Sequence, residues 1–112
     1  MKNQTEARIQ QNCWIWYKNN FCLNHHNPKH IIFAVPNDSS SKEETMRKLA
    51  TGMLAGVSDL IIVQPNRVIF IEVKTDSGTQ QPNQKQFESD VKDLGFEYYV
   101  VRSLDQFKTL FL

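Results

Sequence analysis

The chain has 112 residues, one domain's length, and 40% hydrophobic with 22% charged residues is a globular balance that excludes wholesale disorder. A formal net charge of +1 excludes a surface that grips polyanions by bulk charge, so any such affinity must be local or doubled by dimerisation. Two cysteines (Cys13 and Cys22), a polar start over residues 1–6 and no apolar run near the ~20 residues of a membrane span exclude a disulfide framework, and give the expectation of a reducing, cytoplasmic setting with no membrane contact.

In chain order, residues 3–22 read as a helix, with Ile9, Cys13, Trp16 and Asn20 on one stripe and Trp14, Tyr17 and Phe21 on the next. That broad aromatic surface reads as core or, in its excess, as a dimer interface, with a base-stacking platform as the alternative. Cys22, His25, His26 and His30 lie within nine residues, but their spacing fits no zinc finger, and solvated loop histidines are expected. Residues 30–35 read as a strand stopped by Pro36, followed by a polar loop over 37–42. A helix is expected from 43 to about 54, ending near Gly56, with Glu43–Arg47 and Glu44–Lys48 at i,i+4 spacing.

Residues 60–63 and 67–74 are β-rich runs around Pro65-Asn66, a hairpin signal. Both faces of these runs are apolar, which suits strands in the middle of a mixed sheet. Residues 82–94 read as a helix with proline in its first turn, stopped by Gly95. A further β run covers 96–101, and a last helix over 104–112 has Ser103 as its N-cap. The order α, β, α, β, β, α, β, α predicts a single α/β domain over 1–112, with a mixed sheet of about four strands flanked by helices.

Hairpin arithmetic brings two acids together. A turn centred between Pro65 and Asn66 pairs Gln64 with Arg67 and, further down the ladder, Asp59 with Glu72, their Cβ atoms roughly 5 Å apart. Like charges facing each other are destabilising, so a cation belongs between them. Lys74, two residues past Glu72, projects from the same face. One lysine against two carboxylates leaves a surplus negative charge, which suits a hard divalent ion such as Mg²⁺ or Mn²⁺. A structural carboxylate–lysine pair at a strand end is the alternative.

Gly56-Val57-Ser58-Asp59-Leu60, a hydrophobic strand, and then Ile71-Glu72-Val73-Lys74 resemble the PD-(D/E)xK nuclease superfamily and, within it, the VRR-NUC (virus-type replication-repair nuclease) family. Further positions match in order: Glu6 on the first helix, Pro36-Asn37 after the first strand, Gly52 and Gly56 before the aspartate, Pro82-Asn83-Gln84 opening a helix, and Val100-Val101-Arg102 closing the last strand. Ser58 stands where the superfamily name implies proline.

The resemblance implies a restriction-endonuclease-like core and a Mg²⁺-dependent endodeoxyribonuclease. It implies Asp59, Glu72 and the Val73 carbonyl as metal ligands, with Glu6 completing the site through water. Lys74 would orient the attacking water or stabilise phosphate charge, and Gln84 would position Lys74 or contact the scissile region. Asn37, Lys42, Arg47 and Lys48 would touch DNA. Competing structural readings are a capping box with Asn3 for Glu6, although Glu6 continues the stripe of Ile9 and Cys13 and so points toward the core side, a plain turn for Asn37 and a solvated helix face for the three cations. Family analogy extends to branched DNA, a Holliday-junction resolvase-like homodimer, DNA repair, and a viral or bacterial host cytoplasm. Flap cleavage, nicking and a non-catalytic DNA-binding module are the alternatives.

Overall fold

The computed structural model describes residues 4–36 and 40–112. Its elements are α1 (Glu6–Phe21), β1 (Ile31–Ala34), α2 (Lys42–Ala50), β2 (Leu60–Gln64), β3 (Arg67–Val73), α3 (Pro82–Asp93), β4 (Glu97–Val101) and α4 (Leu104–Thr109), in the expected order. The four strands form one mixed sheet in the order β1-β2-β3-β4, with β1, β2 and β3 antiparallel and β4 parallel to β3. Gln64 pairs with Arg67 and Leu60 with Ile71, the register that the symmetric turn predicts. Pro65 keeps the negative φ of its ring while Asn66 takes the left-handed φ of 56°, the combination of a type II turn.

Strand alternation divides the sheet into two unlike faces. Ile32, Leu60, Ile62, Ile69, Ile71, Val73 and Val101 share one face and are buried with Ile9, Cys13 and Tyr17 of α1 and Phe107 of α4. The opposite face carries Phe70, Glu72 and Tyr98, and α3 lies over it, the Phe87 ring meeting Phe70 at 5.5 Å and Tyr98 at 6.1 Å edge-on. Much of the aromatic excess of α1 is used inside the chain: Trp16, Tyr17 and Phe21 close on Phe107 and Phe111. Trp14 and Ile15 remain exposed.

Several boundaries differ from the sequence reading. Helix α1 is capped by Thr5, whose Oγ1 accepts the Arg8 amide at 3.1 Å. Glu6 is therefore the first helical residue, not the third, and its suggested capping partner Asn3 lies outside the described residues. Helix α2 stops at Ala50 rather than near 54, because Gly52 turns the chain at φ 112°. Ser103 caps α4 as expected, accepting the Gln106 amide at 3.1 Å. Among the described residues no helix is long and apolar enough to cross a membrane.

Candidate active site

Asp59 sits one residue before β2, at the end of the hairpin far from the turn. Its main-chain carbonyl accepts Val35 N–H at 3.0 Å, and its Oδ2 accepts Val73 N–H at 2.7 Å. The side chain thus takes over the ladder where the strand ends, held against β3 beside Glu72, the residue that the register sets opposite it. Asp59 and Glu72 therefore meet as the hairpin arithmetic predicts.

Glu72 is 1% exposed and Lys74 6% exposed. Glu72 Oε2 lies 3.9 Å from Lys74 Nζ and accepts Gln84 Nε2 at 3.2 Å, while Oε1 accepts the Tyr98 hydroxyl at 3.3 Å. Burial, and then the neighbouring Asp59 carboxylate, push the Glu72 carboxyl well above the usual carboxylate range, and Lys74 and Tyr98 only partly oppose this. One buried ammonium does not balance two adjacent carboxylates.

Gln84 joins α3 to this cluster. Its Oε1 accepts Gln81 N–H at 2.8 Å in a capping box, which leaves its amide nitrogen to reach Glu72. The loop before Asp59 lies on the same helix turn. Gly56 has φ 91°, and a Cβ there would meet the Asn83 carbonyl oxygen and come within 2.6 Å of its carbon, so only glycine permits the approach. Thr45, Met53, Gly56, Gln81, Asn83 and Gln84 line a groove of about 360 Å³ beside the cluster.

The structure thus brings Asp59, Glu72, Lys74 and Gln84 together, with the Val73 amide bound to Asp59. Glu6 is different. Tyr17, near the C-terminal end of α1, bonds Gln64 beside the hairpin turn, while Ala7 and Gln10 line a groove with Ala34 and Leu60, so Glu6 lies toward the Asp59 end. It is nonetheless exposed, contrary to its stripe position, because the first turn of α1 projects beyond Ile9, where burial begins. Among the described residues no three His, Cys, Asp or Glu side chains gather into a metal-binding group, so Glu6 does not join the carboxylate pair. Cys22, His25, His26 and His30 likewise form no such group among the described residues.

Asn37 lies outside the described residues. Lys42 and Arg47 are exposed on α2, and Lys48 pairs with Glu44 at 3.0 Å, the i,i+4 contact foreseen from spacing. Sequence reasoning missed Tyr98, which donates to Glu72 from β4, and Gln80, which bonds Tyr98 from the loop before α3 and is itself held by Glu88 of α3. Alternation warns that Tyr98 and Tyr99 face opposite ways, but only the parallel pairing of β4 with β3 puts Tyr98 on the Glu72 face. Arg102 was noted without a role. Its Nη1 donates to the carbonyls of Thr75, at 2.5 Å, and Gly78, at 2.7 Å, closing the loop that carries Gln80.

A mixed sheet whose central hairpin presents an aspartate opposite a Glu-x-Lys run, with helices on both faces, is a restriction-endonuclease-like core. The family profile of the VRR-NUC domain matches residues 4–105, and the chain belongs to this nuclease family. Among solved structures, a VRR-NUC domain protein superposes with a TM-score of 0.75 at 21% identity, over 97% of this chain and 86% of its own. A second VRR-NUC domain gives a TM-score of 0.65 at 18% identity, over 96% of this chain and 95% of its own. No curated protein matches the chain.

Proposed function

We propose that this chain is a metal-dependent endonuclease that hydrolyses phosphodiester bonds in DNA. The observation that carries the reading is the meeting of half-buried Asp59 with buried Glu72 beside the buried ammonium of Lys74. The donor set fits Mg²⁺, or Mn²⁺ in its place: two hard carboxylates with surplus negative charge, the Val73 carbonyl as a third oxygen, and water for the remaining positions. Glu6, from its exposed place on α1, would reach such an ion through water. When bound, the ion supplies Lewis-acid polarisation of a phosphoryl oxygen and a more acidic water.

The chain's own residues do the rest. Val73 N–H fixes Asp59 Oδ2, so its second oxygen remains for a ligand. Gln84 holds Glu72 and, through its capping bond, fixes the start of α3 at the site. Lys74, almost wholly desolvated, sets a positive charge where the phosphate gains negative charge in the transition state. Lys42, Arg47 and Lys48 of α2 would serve as phosphate contacts, and Asn37, outside the described residues, is proposed with them from the family resemblance. Family analogy favours branched DNA and a Holliday-junction resolvase-like homodimer, in which two sites meet two strands.

The test incubates the chain with labelled four-way junctions, flaps, nicked and linear duplexes, with Mg²⁺, Mn²⁺ or EDTA. Metal-dependent cleavage that Asp59→Ala abolishes is the expected result, and preference for junctions over flaps distinguishes resolution from flap cleavage. Binding to DNA without cleavage under either metal would replace this reading with a non-catalytic module.

A further inference from the structure

Behind Glu72 runs a chain of hydrogen bonds whose direction is fixed by chemistry. Glu88 lies one turn after Gln84 on α3, and its Oε2 takes Lys92 Nζ at 2.6 Å. Its Oε1 accepts Gln80 Nε2 at 3.1 Å. An amide oxygen turned toward that carboxylate would be repelled, so Gln80 presents its nitrogen there. The same nitrogen lies 3.3 Å from the Tyr98 hydroxyl, whose oxygen therefore accepts. The phenol proton then has one direction left, toward Glu72 Oε1 at 3.3 Å. Tyr98 is 4% exposed, its ring held edge-on by Phe87, so the hydroxyl has little room to turn away.

We propose that Tyr98, aimed by Gln80 and Glu88, is a positioning residue that sets the orientation of Glu72 for cation binding. The proposal rests on the metal-site reading above. A neutral donor suits the task because it fixes a carboxylate oxygen without cancelling its charge, as a second lysine would. With Gln84 on Oε2 and Tyr98 on Oε1, both oxygens are held from the α3 side, and the plane of the carboxylate is set before any ion arrives.

The test uses the full chain without DNA and Mn²⁺ alone, titrated by calorimetry, with thermal melting in EDTA to check folding. Tyr98→Phe keeps the ring and removes the donor, and is expected to weaken Mn²⁺ binding about tenfold. Gln80→Met leaves Tyr98 in place but frees its hydroxyl, and about threefold is expected. In cleavage assays, raised Mn²⁺ should restore most of the Tyr98→Phe turnover, which a merely damaged fold would not show. Wild-type Mn²⁺ affinity in Tyr98→Phe overturns the relay and leaves the Asp59–Glu72 site standing. If Tyr98→Phe does not fold, unchanged affinity in Gln80→Met overturns it instead. No Mn²⁺ binding by the wild-type chain overturns relay and metal site together.

Discussion

The two ends of the β2–β3 hairpin solve the same electrostatic problem in opposite ways. At the turn end, Arg67 and Glu97 form an ion pair from β3 to β4 with both side chains partly exposed, and Tyr99 adds a hydroxyl to Glu97 at 2.6 Å. A second set of bonds runs inward from Arg67 to Gln64 at 3.2 Å, from Gln64 to the Tyr17 hydroxyl at 2.8 Å, and from that hydroxyl to His30 Nδ1 at 2.9 Å. Each donor there finds an acceptor and the ion pair is balanced. At the far end, half-buried Asp59 and buried Glu72 meet beside one buried lysine, and burial together with the Asp59 carboxylate pushes Glu72 toward its protonated, neutral form. The turn end is built for stability. The far end holds a carboxyl whose ionisation its surroundings oppose, as expected where binding or catalysis takes precedence.

The largest expected break in this comparison is catalytic. Lys74→Met should lower the cleavage rate about a thousandfold while the fold persists, measured as single-turnover cleavage beside a thermal melt. An equally large loss from Arg67→Met would erase the distinction between the ends.

Next is Gly56→Ala, which forces a side chain into the Asn83 carbonyl at a left-handed φ. A destabilisation of about 2–3 kcal/mol is expected, with lowered cleavage because Gln84 shifts with the helix start, read by urea unfolding and by rate.

The sharpest contrast comes from neutralising one acid at each end. Glu72→Gln should abolish metal-dependent cleavage yet stabilise the metal-free protein by up to about 1 kcal/mol, because it removes a carboxyl whose ionisation burial and Asp59 oppose. Glu97→Gln should cost about 0.5 kcal/mol, a small value because the pair is solvent-screened. Urea titrations in EDTA measure both, and the same sign for the two variants would refute the contrast.

The smallest effect is a pH dependence. Hydrogen bonds from Arg67 pull the Glu97 carboxyl from its ordinary 4.5 down to about 2. A depressed acid stabilises the fold fully above its ordinary value and loses that contribution as pH falls from there toward the folded value. Unfolding curves taken from about pH 6 down to about pH 2.5 should therefore show an acid-side loss that is smaller in Glu97→Gln.

Much of this was legible from local rules. Pro65-Asn66 defined the turn, the turn defined the register, and the register set Asp59 against Glu72 with Lys74 on the same face. Helix starts at Pro82 and Ser103 followed from capping chemistry. The misjudged places depend on contacts that no local rule contains. The stripe gives Glu6 a core-facing direction, but a stripe says which side of a helix is apolar and not how far along it the partner sheet extends. The end of α2 is a different matter: Gly52 rather than Gly56 stops the helix, a choice between two nearby glycines that local punctuation leaves open.

Period-two alternation, proline and glycine punctuation and the Asp…Glu-x-Lys spacing were enough to specify the hairpin, its acids and its lysine, since those relations hold between residues close along the chain. The surroundings of Glu72 belong to the tertiary fold alone. Tyr98 and Gln84 reach it from β4 and α3, with Gln80 and Glu88 behind Tyr98, and what joins them is a parallel strand pairing and a helix laid across the sheet. Parallel pairing has no turn to declare its register, so which side chains share a buried acid is decided only when the sheet closes.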